Sequence, residues 1–273
     1  MRSFSSLVAW LLTVLAAIVT VPLLWVSSHV AQEDGYVEFS SQLAMDDELQ
    51  VAFADYLADD FVQRGVLPRR LEDVAASALA AVARTTTNQP GFVEAWEQTQ
   101  RSLHRSAFSD ASGPLTVDVS PMAQFVTDRV DKDLPVSLRV PQDLTVSIGS
   151  ASDRERLQAV SQSTTFGLLG LLVVIVAGVT SLLSARSRPL AVAALGVGAL
   201  VVAGVVRFAS SEIAPRLVDE AKDENAFART VQRLLVDRAS DSLAGWLEWI
   251  AIGGAVAIVV GLVARLATGR RAS

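Results

Sequence analysis

Cysteine is absent from the 273 residues, lysine occurs only at Lys132 and Lys222, and histidine only at His29 and His104. Without a thiol there is no disulfide framework, no thiolate metal ligand, no cysteine nucleophile and no cysteine to palmitoylate. Any folded part must therefore hold together by packing alone. Neither lysine lies in a Gly-x-x-x-x-Gly-Lys-Ser/Thr phosphate loop, and the chain has no His-Glu-x-x-His, Gly-x-Ser-x-Gly or Ser-x-x-Lys pattern. The two histidines stand far apart in the chain and read as surface or packing residues. A net charge of −6 argues against nucleic acid as a partner. From sequence we therefore assign no catalytic, cofactor-binding or metal residue and no cofactor.

Apolar length is what the chain has in abundance. Four runs, Leu7–Ser27, Phe166–Ser184, Leu190–Ala209 and Trp246–Ala267, each carry no ionised side chain near the centre. A helix rises ~1.5 Å per residue, so about 20 apolar residues cross a hydrocarbon layer of about 30 Å. Buried core helices are the alternative, but such helices rarely run so long without a polar face. The sequence thus predicts a mainly α membrane protein with four transmembrane helices.

Orientation follows from lysine and arginine in the short flanks. Arg2, Arg186, Arg188, Arg265, Arg270 and Arg271 share one set of flanks, which holds no Asp or Glu. The segment from Ser28 to Thr165 holds 21 acidic and 11 basic residues. The expected layout is a cytoplasmic tail (1–6), a first transmembrane helix acting as an uncleaved signal anchor (7–27) and an extracytoplasmic domain (28–165). A second span (166–184), a cytoplasmic loop (185–189) and a third span (190–209) follow. An extracytoplasmic helical hairpin (210–245), a fourth span (246–267) and a cytoplasmic tail (268–273) complete it. A cleaved signal peptide is disfavoured because the apolar stretch is long and His29 spoils a small-x-small site before Ala31. Trp10, Trp25, Trp246 and Trp249 flank the spans, where amphipathic rings favour the headgroup level.

The 28–165 segment reads as α+β and mostly helical. A short helix is expected around Val37–Leu43. From Asp46, Leu49, Phe53, Tyr56, Leu57 and Phe61 keep helical spacing, with Gly65 as the cap. Pro68 opens a second helix whose stripe runs from Leu71 to Val82. A third helix turns Phe92, Trp96, Leu103 and Phe108 inward. Leu115–Val119 alternates like a strand, and Ser120-Pro121 starts a helix running to about Val130. Strands are expected at Val136–Val140 and Leu144–Ile148, and a helix from Ser152 leads into the second span. In the hairpin, Phe227, Val231, Leu234, Leu235 and Val236 form an apolar face that packs on the large domain. An interfacial helix is the alternative reading, and Pro215 marks a break or kink.

Three acidic groups, Asp128/Asp131/Asp133, Asp46-Asp47-Glu48 and Asp59-Asp60, lack the glycine turn and terminal glutamate of a calcium loop and read as solvated helix ends. Arg207 and Glu248, near the outer ends of the third and fourth spans, are expected to pair as an interfacial tether. Thr180 and Ser181 are mild polar residues of the kind helix packing uses. Gly253, Ala257 and Gly261 recur every four residues, as do Ala194/Gly198 and Ala199/Ala203. Such small-residue faces let helices approach closely, within one chain or across a homo-oligomer.

The stretches Tyr36-Val37-Glu38-Phe39 leading to Leu43-Ala44, Phe92-Val93-Glu94-Ala95-Trp96 with His104 downstream, and Leu115-Thr116-Val117-Asp118-Val119, taken with the layout, resemble a family of uncharacterised integral membrane proteins from actinobacteria. The resemblance covers most of the chain. It implies the signal anchor, the extracytoplasmic domain and three further spans, and it brings no activity, cofactor or catalytic residue.

The leading expectation is a non-enzymatic protein of the cell membrane. Its outer domain would bind a partner protein or envelope component, or support a membrane assembly. The alternative is a transporter, channel or lipid-handling subunit acting as an oligomer. An outer-face enzyme using carboxylates is a third reading. A two-component sensor is disfavoured because so little chain is left for a cytoplasmic signalling domain.

Overall fold

The computed structural model describes residues 2–63, 81, 85, 89–109, 113–133, 144–220 and 226–269. It is mainly α-helical, and four of its helices are long and apolar enough to cross a membrane. The chain divides into two compact units. One comprises Met1–Ser28, Gln162–Arg216 and Arg238–Ser273; the other comprises His29–Ser161 and Leu217–Asp237.

The apolar unit is built from α1 (Arg2–Val26) and the parts of three later helices that fall within it: α7 (Ser163–Ser184), α8 (Arg188–Glu220) and α9 (Ala226–Gly269). Helix α1 bonds to each of the other three. Ser6 Oγ donates to the Ser181 carbonyl at 3.0 Å, and Ser181 Oγ donates back to the Ser6 carbonyl at 3.2 Å. The Ser27 and Thr164 hydroxyls meet at 2.8 Å near the opposite end of the α1–α7 pair. Trp10 Nε1 donates to the Ala194 carbonyl of α8 at 2.7 Å, and Trp25 Nε1 donates to Ser242 Oγ of α9 at 3.1 Å. Two tryptophans expected at the headgroup level therefore spend their N–H groups between helices.

Small residues set the approach. A Cβ on Gly198 would stand 2.8 Å from Val14 Cγ2, and one on Gly254 would stand 2.8 Å from the Gly196 carbonyl oxygen. Contacts this close require glycine, and interfaces between membrane helices are enriched in small residues for that reason. The α8–α9 face runs through Gly254 and Gly261. Gly253 of the expected stripe has open space around it, because a shift of one residue turns a side chain about 100° around the helix.

Helices α8 and α9 run 33 and 44 residues, or about 50 and 66 Å, well beyond a ~30 Å hydrocarbon layer. Residues 210–220 and 226–245, expected as a separate hairpin, thus continue the two apolar helices themselves. Helix α8 passes through Pro215 without the expected break.

The polar unit contains α2 (Glu33–Ser41), a 3-10 turn (Gln42–Met45), α3 (Asp47–Gln63), α4 (Pro90–Ala107), β1 (Leu115–Asp118), α5 (Ser120–Asp133), β2 (Thr145–Gly149) and α6 (Ala151–Val160). The start of α9 completes it. Asp46 caps α3, accepting from the Glu48 and Leu49 amides at 2.9 and 3.2 Å. Strands β1 and β2 pair antiparallel with Val117 opposite Val146. One core gathers Leu49, Phe53, Leu57 and Phe61 of α3, Phe92, Trp96 and Leu103 of α4, Met122 and Val126 of α5, Leu115 and Val117 of β1, and Phe227 and Val231 of α9. Phe227 and Val231 therefore face protein, as the packed-hairpin reading expects. The expected helix from Pro68, its preceding cap at Gly65 and the strand at Val136–Val140 lie outside the described residues.

Between α4 and α6 sits a feature the sequence did not announce. Arg154 is 5 % exposed, and its guanidinium donates to three carbonyls: Gly113 (3.1 Å), Pro114 (3.0 Å) and Ser106. Gln158 Nε2 adds a bond to the Ser109 carbonyl at 2.8 Å. Two side chains of α6 thus satisfy carbonyls at the end of α4 and in the following turn, groups a helix terminus leaves without internal partners. A capping box starts α6: Ser150 Oγ accepts from the Asp153 amide, and the Asp153 carboxylate accepts from the Ser150 amide at 2.8 Å.

Candidate functional site

The polar unit carries a groove of about 680 Å³ along one side of α3 and the first turn of α9. Helical spacing builds it. Glu48, Val51, Asp55, Tyr56, Asp59 and Gln63 recur at intervals of three and four and share one face of α3, while Phe53, Leu57 and Phe61 on the other face enter the core. Ala226, Phe227 and Thr230 supply the opposite wall. Tyr56 stacks on Phe227 with ring centroids 5.4 Å apart and planes 25° apart, and Phe227 lies 5.6 Å from the buried Phe53. The aromatic floor is thus anchored in the core.

Four carboxylates, Glu48, Asp55, Asp59 and Asp60, line the groove, and among the described residues no cationic side chain does. Glu48 also forms an ion pair with Arg233, linking the two walls beyond the groove. That bond holds the guanidinium pKa above its ordinary value. Two acidic strings read from sequence as solvated helix ends therefore meet along this face: Glu48 of Asp46-Asp47-Glu48, and Asp59-Asp60. The sequence signal for this was the i, i+4 spacing of Asp55 and Asp59 with Val51 and Tyr56. It could be recognised as a groove only once Phe227 was known to lie opposite.

A second constellation joins α2 to α4. Tyr36 Oη donates to Gln100 Oε1 at 2.7 Å, and burial pushes the phenol pKa far above its usual range, so it remains a protonated donor. Trp96 Nε1 donates to the Ser40 carbonyl at 2.8 Å. His104 donates from Nε2 to the Val30 carbonyl at 3.1 Å, with the Tyr36 ring 5.5 Å and the Phe108 ring 4.4 Å away. His29 lies edge-on to Phe39 at 5.9 Å. Arg101 meets Asp34 and Glu33 at 2.9 and 3.3 Å. The motifs Tyr36–Phe39 and Phe92–Trp96 with His104 thus come together as helix packing, and both histidines sit against rings.

Of the remaining sequence candidates, Asp128 is exposed on α5, and the side chains of Asp131 and Asp133 lie outside the described residues. Among the described residues, no three His, Asp or Glu side chains are grouped to hold a metal ion. Arg207 and Glu248 are both exposed and form no ion pair with each other, against the expected tether. Thr180 donates to the Val176 carbonyl of its own helix at 2.7 Å, and Thr13 donates to that of Ala9 at 2.8 Å.

No protein-family model, curated protein or solved structure matches the chain.

Proposed function

We propose that this is a non-enzymatic integral membrane protein whose polar unit stands on the extracytoplasmic face and binds a partner protein through the α3–α9 groove. The groove carries this reading. Its carboxylates surround an aromatic floor fixed to the core, a combination suited to a cationic segment with an apolar anchor. Buried aromatic anchors supply most of the energy of such contacts, and complementary charge supplies rate and selectivity. The acidic balance of residues 28–165 and the arginine-only flanks favour the outer face for this unit, with both termini cytoplasmic. The intramembrane hydroxyls Thr13 and Thr180 bond to their own helices, which favours a mount over an ion path.

Purification in mild detergent should yield a stoichiometric protein partner that Val51→Arg and Asp59→Arg both release. A solitary, monodisperse protein would count against the reading, as would a partner indifferent to both changes. The side is tested separately. With no native cysteine, Glu94→Cys should react with an impermeant maleimide from outside the cell, and Ser187→Cys should react only after permeabilisation. The opposite pattern would reverse the assignment.

A further inference from the structure

A groove of about 440 Å³ opens where the start of α1 meets the end of α7 and the start of α8. Leu7, Trp10, Leu190, Ala191 and Ala194 form its apolar walls. The polar groups within it are already used. The Trp10 N–H is held by Ala194, and the Ser6 and Ser181 hydroxyls are held by each other's backbone. What remains is an apolar slot in the membrane-crossing unit, suited to a hydrocarbon chain.

Its mouth has the opposite chemistry. Arg186 and Ser187 line it, and Arg265 Nη1 donates to Ser187 Oγ at 3.0 Å, bringing a second guanidinium to the same turn. Arg188 begins α8 beside them. None of the three arginines has a carboxylate partner among the described residues, and these flanks contain no Asp or Glu. Guanidinium forks match phosphate oxygens, and basic clusters at the ends of membrane helices attract anionic headgroups. We infer that this groove binds one anionic phospholipid, with an acyl chain between α1, α7 and α8 and the phosphate on Arg186, Ser187 and Arg265. A free phosphate would leave the apolar slot unused. A second copy of the chain would set arginine against arginine across a two-fold axis. The inference is independent of the partner-binding groove and of which face is cytoplasmic.

The test is native mass spectrometry of the full chain in neutral detergent, titrated with phosphatidylglycerol or with phosphatidylcholine bearing the same acyl chains. Phosphatidylglycerol should be retained about tenfold more strongly, a difference of ~1.4 kcal/mol. Arg186→Ala with Arg265→Ala should abolish the preference, while Arg207→Ala, at the other end of the α8 span, should preserve it. Leu190→Trp, at a position already exposed, fills the slot with the arginines intact and should also lower retention. It keeps the test decisive if the arginine variants misfold. Equal retention of the two lipids would overturn the inference, as would a preference that survives both the arginine pair and Leu190→Trp.

Discussion

Ser6 and Ser181 donate to each other's backbone, at 3.0 and 3.2 Å, from helices 175 positions apart in the chain. The two bonds cross between helices and lock α1 to α7 in one register; Ser181 lies in the last turn of α7, where helix carbonyls lack internal partners. Bonds between membrane helices contribute about 0.6 kcal/mol on average and up to ~1.7. Ser6→Ala and Ser181→Ala should each destabilise the bundle within that range, and the pair together should cost about the sum. Unfolding by steric trapping in bicelles measures this. No loss in either variant would mean that the pair does not fix the register.

The glycines of α9 give a sharper contrast. Gly254→Leu drives side-chain atoms into the Gly196 carbonyl and the α8 backbone, whereas Gly253→Leu enters open space. The first should cost about 1–3 kcal/mol or more, as overpacking does, and the second should be near neutral. Thermal stability in detergent separates them. Equal effects would contradict the assigned face.

Arg154 should be the most sensitive polar residue of the polar unit. Removing it takes the guanidinium from the Gly113 and Pro114 carbonyls, while the Ser106 carbonyl keeps the Ser109 hydroxyl at 2.8 Å. Arg154→Met should cost roughly 2–4 kcal/mol, since each buried polar group left unsatisfied costs about 1–3 kcal/mol, less what water recovers. Arg154→Lys should recover only part, because one ammonium cannot match three acceptors set around a planar fork. Chemical denaturation followed by the fluorescence of the buried Trp96 reads both. A stability unchanged by Arg154→Met would refute this role.

The contact of α9 with the core predicts an asymmetry between two nearby residues. Phe227→Ala removes a buried ring packed on Phe53 and Tyr56 and should cost about 3–5 kcal/mol. Arg233→Ala removes a partly exposed ion pair with Glu48 and should cost less than ~1 kcal/mol. Hydrogen exchange across 226–236 should rise strongly in the first variant and little in the second. The reverse order would mean that charge, not burial, holds this segment.

These contacts differ in how far the sequence disclosed them. Repeating positions were legible. The Leu49–Phe53–Leu57–Phe61 stripe, the inward Phe92, Trp96 and Leu103, and the alternation of Leu115 to Val119 all follow from periods of 3.6 and 2, which the chain repeats several times. Contacts made by one donor to a backbone carbonyl were not legible, because every residue carries that acceptor. Arg154, Trp10 and the Ser6–Ser181 pair belong to this class. Rotation about a helix axis was the other blind spot. It decides that Gly254 and not Gly253 meets α8. The groove needed both kinds of information: its α3 wall was periodic, but its partner wall arrived from Phe227, far along the chain.

Site-specific photocrosslinking in living cells reads directly whether the α3–α9 groove holds a partner protein. A photoreactive residue is placed at Val51 or Asp59 in the groove, or at Glu97 or Asp128, elsewhere on the polar unit. A partner-binding groove gives one discrete protein adduct from both groove positions and none from the other two, lost when Tyr56→Ala removes the aromatic floor. Absence of any groove adduct, or the same adducts from all four positions, would contradict it.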